Sequence, residues 1–251
     1  MKRQTQESKK NSLRVYIGST LFFLYIIIST VIFGPVILLC VILPFEARYA
    51  LATLWVKWLL AVLKITCGLS YSVEGMENIP QDQPCVVLCK HQSAWETVAL
   101  RLFLPRQTAL LKKSLTWIPI GGWALATLKP IAIDRKNQRE ALKMLIEQGT
   151  QRLQEGLFVV VFPEGTRAAP GENKKFNAGG AMLAQKSGYP VLPIAHNAGE
   201  FWPRNSFLKY PGTIKVKIGP IISVKGKKAK EINEEAAAWI KQAMQEISQM
   251  K

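Results

Sequence analysis

The chain has 251 residues and a formal net charge of +16, from 33 Lys and Arg against 17 Asp and Glu. That length accommodates one sizeable α/β domain plus an extension, and the surplus charge points to an anionic partner: nucleic acid, a bilayer surface or acidic solutes. No helix-turn-helix, RNA-recognition or zinc-finger pattern occurs, which argues against nucleic acid. The four cysteines, Cys40, Cys67, Cys85 and Cys89, lack zinc-like spacing with histidine and read as reduced, buried thiols.

The chain starts with Lys2, Arg3, Lys9, Lys10 and Arg14 against Glu7 alone, and then carries no charge from residue 15 to residue 45. As one helix this run would reach about 45 Å, beyond a hydrocarbon core of about 30 Å. It is too long for a signal peptide and lacks a small-residue cleavage site. Gly34-Pro35 is expected to kink or turn it. A second apolar stretch covers residues 47–69, with Lys57 and Lys64 on one helical face and Trp55 and Trp58 suited to a headgroup layer. Two helices, as a spanning hairpin or embedded in one leaflet, return the chain to its starting side, which the basic residues place in the cytosol. Residues 1–70 thus read as a basic N-terminus and a two-helix membrane-associated segment, and residues 71–251 as an α/β domain.

In that second part, strands are expected at 71–73, 85–88, 108–111, 130–133, 157–162, 191–194 and 213–218. Helical spacing falls at 95–103, 138–154, 178–187 and 229–249. This alternation predicts an α/β fold with a mixed, largely parallel sheet covered by helices. No internal repeat is present, and residues 73–80 are the one plausible domain junction.

Two strands run straight into polar motifs, at the strand ends where open α/β sheets bind ligands. The first motif is Lys90-His91-Gln92-Ser93-Ala94-Trp95-Glu96. His91 has the chemistry of a general base, Glu96 can orient its ring, and Ser93 suits a helix N-cap. Taken alone, the pair equally describes a capping histidine beside an acid that favours a helix start. The second motif is Phe162-Pro163-Glu164-Gly165-Thr166-Arg167. Here Pro163 and Gly165 force a turn, Thr166 offers a hydroxyl, and Arg167 can grip a phosphate bidentately. Glu164 either pairs with a substrate hydroxyl or holds Arg167. Lys112 and Arg135 add cations at other strand ends, while His196 reads as structural or as lining the site. Neither Ser93 nor Ser114 has the context of a nucleophile elbow.

In this order and spacing the residues resemble the glycerolipid acyltransferases that make phosphatidic acid from lysophosphatidic acid, over about residues 75–220. His91 to Glu96 matches the family's His-x-x-x-x-Asp block. Lys112-Lys113-Ser114-Leu115, Ile118-Pro119, Gly121 and Ile133-Asp134-Arg135 match the second. Phe162 to Arg167 matches the third, and Val191-Leu192-Pro193-Ile194 the fourth. The resemblance implies metal-free and cofactor-free transfer of an acyl group from acyl-CoA or acyl carrier protein to the 2-hydroxyl of lysophosphatidic acid. His91 and Glu96 would be catalytic, and Lys112, Arg135, Glu164, Gly165, Thr166 and Arg167 would bind substrate. Membrane lipids would be partners, at a bacterial inner membrane with the catalytic part on the cytoplasmic side. Four positions depart from the family pattern: Glu96 stands for Asp, Lys129 for Gly, Ala168 for Ser and Asn177 for Lys. Competing readings are acylation of glycerol 3-phosphate, an ornithine lipid or another lysophospholipid, or a non-catalytic protein that binds anionic lipid.

Overall fold

The computed structural model describes residues 12–134 and 137–249. Arg135 and the basic residues Lys2, Arg3, Lys9 and Lys10 lie outside the described residues. Helix α1 (Leu13–Leu39) is apolar all round, and Pro35 lies inside it. The expected turn at Gly34-Pro35 therefore does not form. Instead the chain reverses through a 3-10 turn at Cys40–Ile42, and Pro44 precedes helix α2 (Phe45–Cys67) at a position where a missing N–H breaks no helical bond. Gly34 serves a different purpose: its bare backbone lets the side chain of Ile120 lie against α1. Helix α2 ends at Gly68, whose φ of 66° gives the left-handed C-terminal cap.

Strands β1 (Leu69–Glu74), β2 (Val86–Cys89), β3 (Gln107–Lys112), β4 (Ile131–Ile133), β5 (Phe158–Val161), β6 (Val191–His196) and β7 (Gly212–Ile218) form one sheet in the order β1-β7-β6-β2-β5-β3-β4. All pairings are parallel except β6 with β7. Every strand expected from the sequence is present. The central strands β2 and β5 are buried on both faces, which is why they read as unbroken apolar runs. In contrast, β7 alternates, with Ile214, Val216 and Ile218 buried.

Helices α3 (Trp95–Ala99), α4 (Gly121–Ala126), α5 (Gln138–Gln154), α6 (Gly179–Ser187) and α7 (Ala229–Ile247) complete the fold. One sheet face packs Val87, Cys89, Leu192 and Ile194 against Val56, Leu59, Leu60 and Leu63 of α2, with Phe22 of α1 in the same core. The opposite face packs Val86, Leu88, Val159 and Val161 against α5, α6 and α7 through Leu145, Leu183 and Ile232. The apolar hairpin thus shares its core with the sheet, and residues 75–80 lead away from β1 through a 3-10 turn at Met76–Asn78 with Ile79 buried in that core. The outer side of the hairpin leaves Leu21, Ile28, Ile32, Leu54, Trp58 and Ile65 exposed. Both helices are long and apolar enough to cross a membrane.

Two departures have local causes. The helix expected over 95–103 stops at Ala99 and tightens into a 3-10 turn at Leu100–Leu102, because Leu104-Pro105 disfavours helical backbone just ahead. Helix α4 escapes sequence reading because it starts with two glycines and follows Ile120, whose φ of 62° is strained for a β-branched residue.

Candidate active site

Strand β2 delivers Lys90, whose N–H pairs with the Ile194 carbonyl at 3.0 Å, and the chain then turns into α3. The side chains of Ser93 and Glu96 close that turn. Ser93 Oγ accepts from the Trp95 N–H at 3.2 Å, and Glu96 Oε1 accepts from the Ser93 and Gln92 N–H groups at 2.8 and 2.9 Å. The N-cap itself is Ala94, one residue beyond the Ser93 expected there. The same Glu96 oxygen lies 2.8 Å from His91 Nδ1. A carboxylate there fixes the proton on Nδ1 and leaves the Nε2 lone pair as the base. The His91 ring stacks on Phe162, with centroids 4.2 Å apart.

Glu96 is fully buried, and its second oxygen has no hydrogen-bond partner among the described residues. That oxygen sits 3.8 Å from Nε2 of His196. His196 Nδ1 accepts from the Ala198 N–H at 3.2 Å, so its Nε2–H donates to the Lys90 carbonyl at 2.7 Å. Burial holds this imidazole below its ordinary value, as the neutral tautomer requires. Burial alone would raise the Glu96 carboxyl. The polar N–H edge of the nearby His196 ring and the hydrogen bonds from His91 and Ser93 outweigh it, so the group stays below the usual carboxylate range and ionised.

Glu164 corrects the sequence reading. It neither holds Arg167 nor lines a cavity, because both its oxygens are engaged inside the protein. Oε1 pairs with Lys90 Nζ at 2.6 Å and Oε2 accepts from the His91 N–H at 3.1 Å. A third link, from the Ala168 N–H to the His91 carbonyl at 2.8 Å, ties the two motifs back to back. Gly165 shapes the wall: its φ of 70° closes a turn in which its N–H reaches the Phe162 carbonyl at 3.0 Å. Asn177, at one of the departing positions, braces that turn through the Pro163 carbonyl at 3.0 Å. Lys129, where glycine is usual, has a φ of 55°. Ion pairing with Glu155 at 2.7 Å helps offset the strain.

His91, Lys112, Thr166 and Arg167 line one cavity of about 590 Å³. Arg204, which carried no motif signal, lines it too, and its Nη1 donates to the Arg167 carbonyl at 2.7 Å. The cavity continues through Trp55, Val98, Leu125 and Leu128 into a smaller apolar slot bounded by Phe33, Gly34 and Ile37 of α1. A larger groove of about 1110 Å³ lies between residues 171–178 and α7. It contains neither His91 nor Arg167.

A base oriented by a buried acid, beside a cationic cavity at the ends of parallel strands, defines an acyl-transfer type of site. The acyltransferase family pattern matches residues 70–197, just over half of the chain, and the chain belongs to that family.

Among its relatives is the 1-acyl-sn-glycerol-3-phosphate acyltransferase of Pseudomonas aeruginosa, 45% identical over 237 residues, covering 92% of each chain. The 1-acyl-sn-glycerol-3-phosphate acyltransferase alpha of Mus musculus is 30% identical over 173 residues, 68% of this chain and 61% of that one. The crystal structure of the 1-acyl-sn-glycerophosphate (LPA) acyltransferase PlsC from Thermotoga maritima superimposes with a TM-score of 0.79. It is 25% identical, and the match covers 95% of this chain and 98% of that one.

Proposed function

We propose that this chain transfers an acyl group from an acyl thioester to the 2-hydroxyl of 1-acylglycerol 3-phosphate, giving phosphatidic acid. The observation that carries this reading is the meeting of the His91–Glu96 pair with Lys112 and Arg167 on a single cavity. His91 Nε2 takes the proton of the 2-hydroxyl as its oxygen attacks the thioester carbonyl. The C–O bond forms and the carbonyl electrons move to oxygen. Collapse of the tetrahedral intermediate then breaks the C–S bond, and the imidazolium returns its proton to the departing thiolate. Glu96 steadies the imidazolium without taking the proton. Lys112 and Arg167 hold the phosphate, Thr166 lies beside it, and the apolar slot accepts hydrocarbon chain. The names of the relatives support the acceptor. The exposed apolar flank of α1 and α2 supports a membrane location, and the basic residues ahead of α1 support an α/β part on the cytoplasmic side. The donor is acyl-CoA or acyl carrier protein, both acidic and matched to the basic chain.

The test is thiol release by the purified chain in lipid vesicles, with each donor and a panel of acceptors. The expected outcome is strong preference for 1-acylglycerol 3-phosphate over glycerol 3-phosphate, an ornithine lipid or a lysophospholipid with a diester headgroup. Absence of turnover with that acceptor and either donor ends the reading.

A further inference from the structure

The loop after β6 is anchored in an unusual way. Its base is closed by the Tyr210 N–H on the Phe201 carbonyl at 2.8 Å, and its tip carries Arg204 and Asn205 into the cavity. Its side is fastened to helix α1. The Lys209 N–H donates to Ser19 Oγ at 2.9 Å, Phe22 packs edge-on to Trp202 with centroids 5.5 Å apart, and Phe23 meets Phe207 at 5.6 Å. Lys209 itself is buried, with no carboxylate partner among the described residues. Its Nζ donates to the Phe207 carbonyl at 2.7 Å and sits 5.0, 5.3 and 5.7 Å from the ring centres of Trp202, Phe207 and Phe22. An ammonium caged by three aromatic rings is held by their negative faces. Because one of those rings belongs to α1, the cage joins the apolar helix to the loop.

At the tip, Arg204 uses Nη1 on the Arg167 carbonyl. That contact engages only part of a planar fork suited to phosphate oxygens. On the neighbouring turn, Glu172 accepts from the Ala169 N–H at 2.8 Å, pairs with Lys174 at 3.6 Å and also feels the charge of Arg204. Glu164 and Glu96 are consumed within the wall. Lys112, Arg167 and Arg204 therefore line one cavity as three cations, with Glu172 as a partial counter-charge beside Arg204, and a doubly ionised phosphomonoester would complete the balance.

We propose that Arg204 is a second guanidinium ligand of the acceptor's phosphate, presented by a loop that helix α1 holds in place through the Lys209 cage. This rests on the acceptor proposed above. It adds a consequence: the headgroup site is assembled partly by an apolar helix that supplies no charged group to it.

The test compares wild type with Arg204→Gln, Arg204→Lys and Lys209→Met in the full chain. KM for 1-acylglycerol 3-phosphate and the inhibition constant of a non-acylatable phosphomonoester lipid are both measured. Loss of one charge-assisted contact should raise both constants about ten-fold or more in Arg204→Gln, with a smaller fall in kcat and an intermediate result for Arg204→Lys. Lys209→Met should raise KM in the same direction, and the Lys209→Met/Arg204→Gln pair should fall well short of additivity. An unchanged inhibition constant in Arg204→Gln overturns the phosphate contact, even where KM rises. An additive pair, or normal KM in Lys209→Met, overturns the coupling to α1. Should the wild-type chain fail to acylate this acceptor, direct calorimetric binding of the phosphomonoester lipid to wild type and Arg204→Gln still decides the role of Arg204.

Discussion

The two sides of the cavity are built on opposite principles. On the base side, Glu96 and His196 are fully buried, Lys90 and Glu164 form a buried ion pair, and the polar atoms of the wall answer one another across short distances. On the anion side, Lys112, Thr166 and Arg204 are exposed, and Arg167 is only partly covered. Proton transfer rewards fixed geometry, and burial fixes it. Charge recognition tolerates exposed cations, which stay solvated until a phosphate arrives. The comparison predicts that damage on the first side shows in kcat and folding, and damage on the second in KM.

The sharpest way to break that contrast is His91→Ala. Removing the base should lower kcat by about 10³-fold, measured as thiol release, with some loss of melting temperature because buried Glu96 loses a hydrogen-bond partner. Turnover close to wild type would remove His91 from the chemistry. Next comes Glu164→Gln against Arg167→Gln. The first strands a buried ammonium and should destabilise the fold by about 3 kcal/mol. The second should leave the denaturation midpoint within about 0.5 kcal/mol while raising KM. Equal effects on stability would erase the distinction between the two sides.

A subtler test uses pH. The folded-state values of both Glu96 and His196 are depressed, so the stability each contributes is present above its unfolded value and is lost as pH falls through the folded one. For His196 the window opens just below about pH 6.5, the unperturbed imidazole value. Below that value the unfolded imidazole takes a proton that the folded one resists, and there wild type should lose melting temperature more steeply than His196→Gln as pH falls. Parallel slopes would mean that His196 is not held neutral. The smallest expected effect is at Gly165→Ala. A side chain at a φ of 70° should cost about 1 kcal/mol, and because the turn backs onto His91, kcat should fall slightly more than KM rises.

Much of this was legible in the chain because the signals were local. Unbroken apolar runs at β2 and β5 and alternation in β7 announce their burial directly, and the strand-to-turn junctions place His91 and Arg167 near each other. What escaped was non-local. The role of Glu164 depends on Lys90, 74 residues earlier, and no spacing rule joins them. Arg204 has no motif around it; the packing of its loop on α1 brings it to the cavity. Gly34-Pro35 reads as a kink or a turn, but the residue Gly34 accommodates, Ile120, is remote in sequence. The pair of Ser93 and Glu96 at the helix start was a readable signal, and it explains why a longer acid serves there: glutamate reaches back to the Ser93 N–H while still touching the imidazole.

Two glycines on α1 bear on how the protein meets lipid. Gly18 lies against the Thr66 carbonyl and Gly34 against Ile120, and neither contact leaves room for even a methyl group. Helix α1 is thereby clamped near both ends, once to its hairpin partner and once to the segment leading into α4. Under the membrane reading proposed above, it cannot tilt on its own to suit a thicker or thinner bilayer. Any mismatch must be absorbed by rotation of the whole molecule or by deformation of the surrounding lipid.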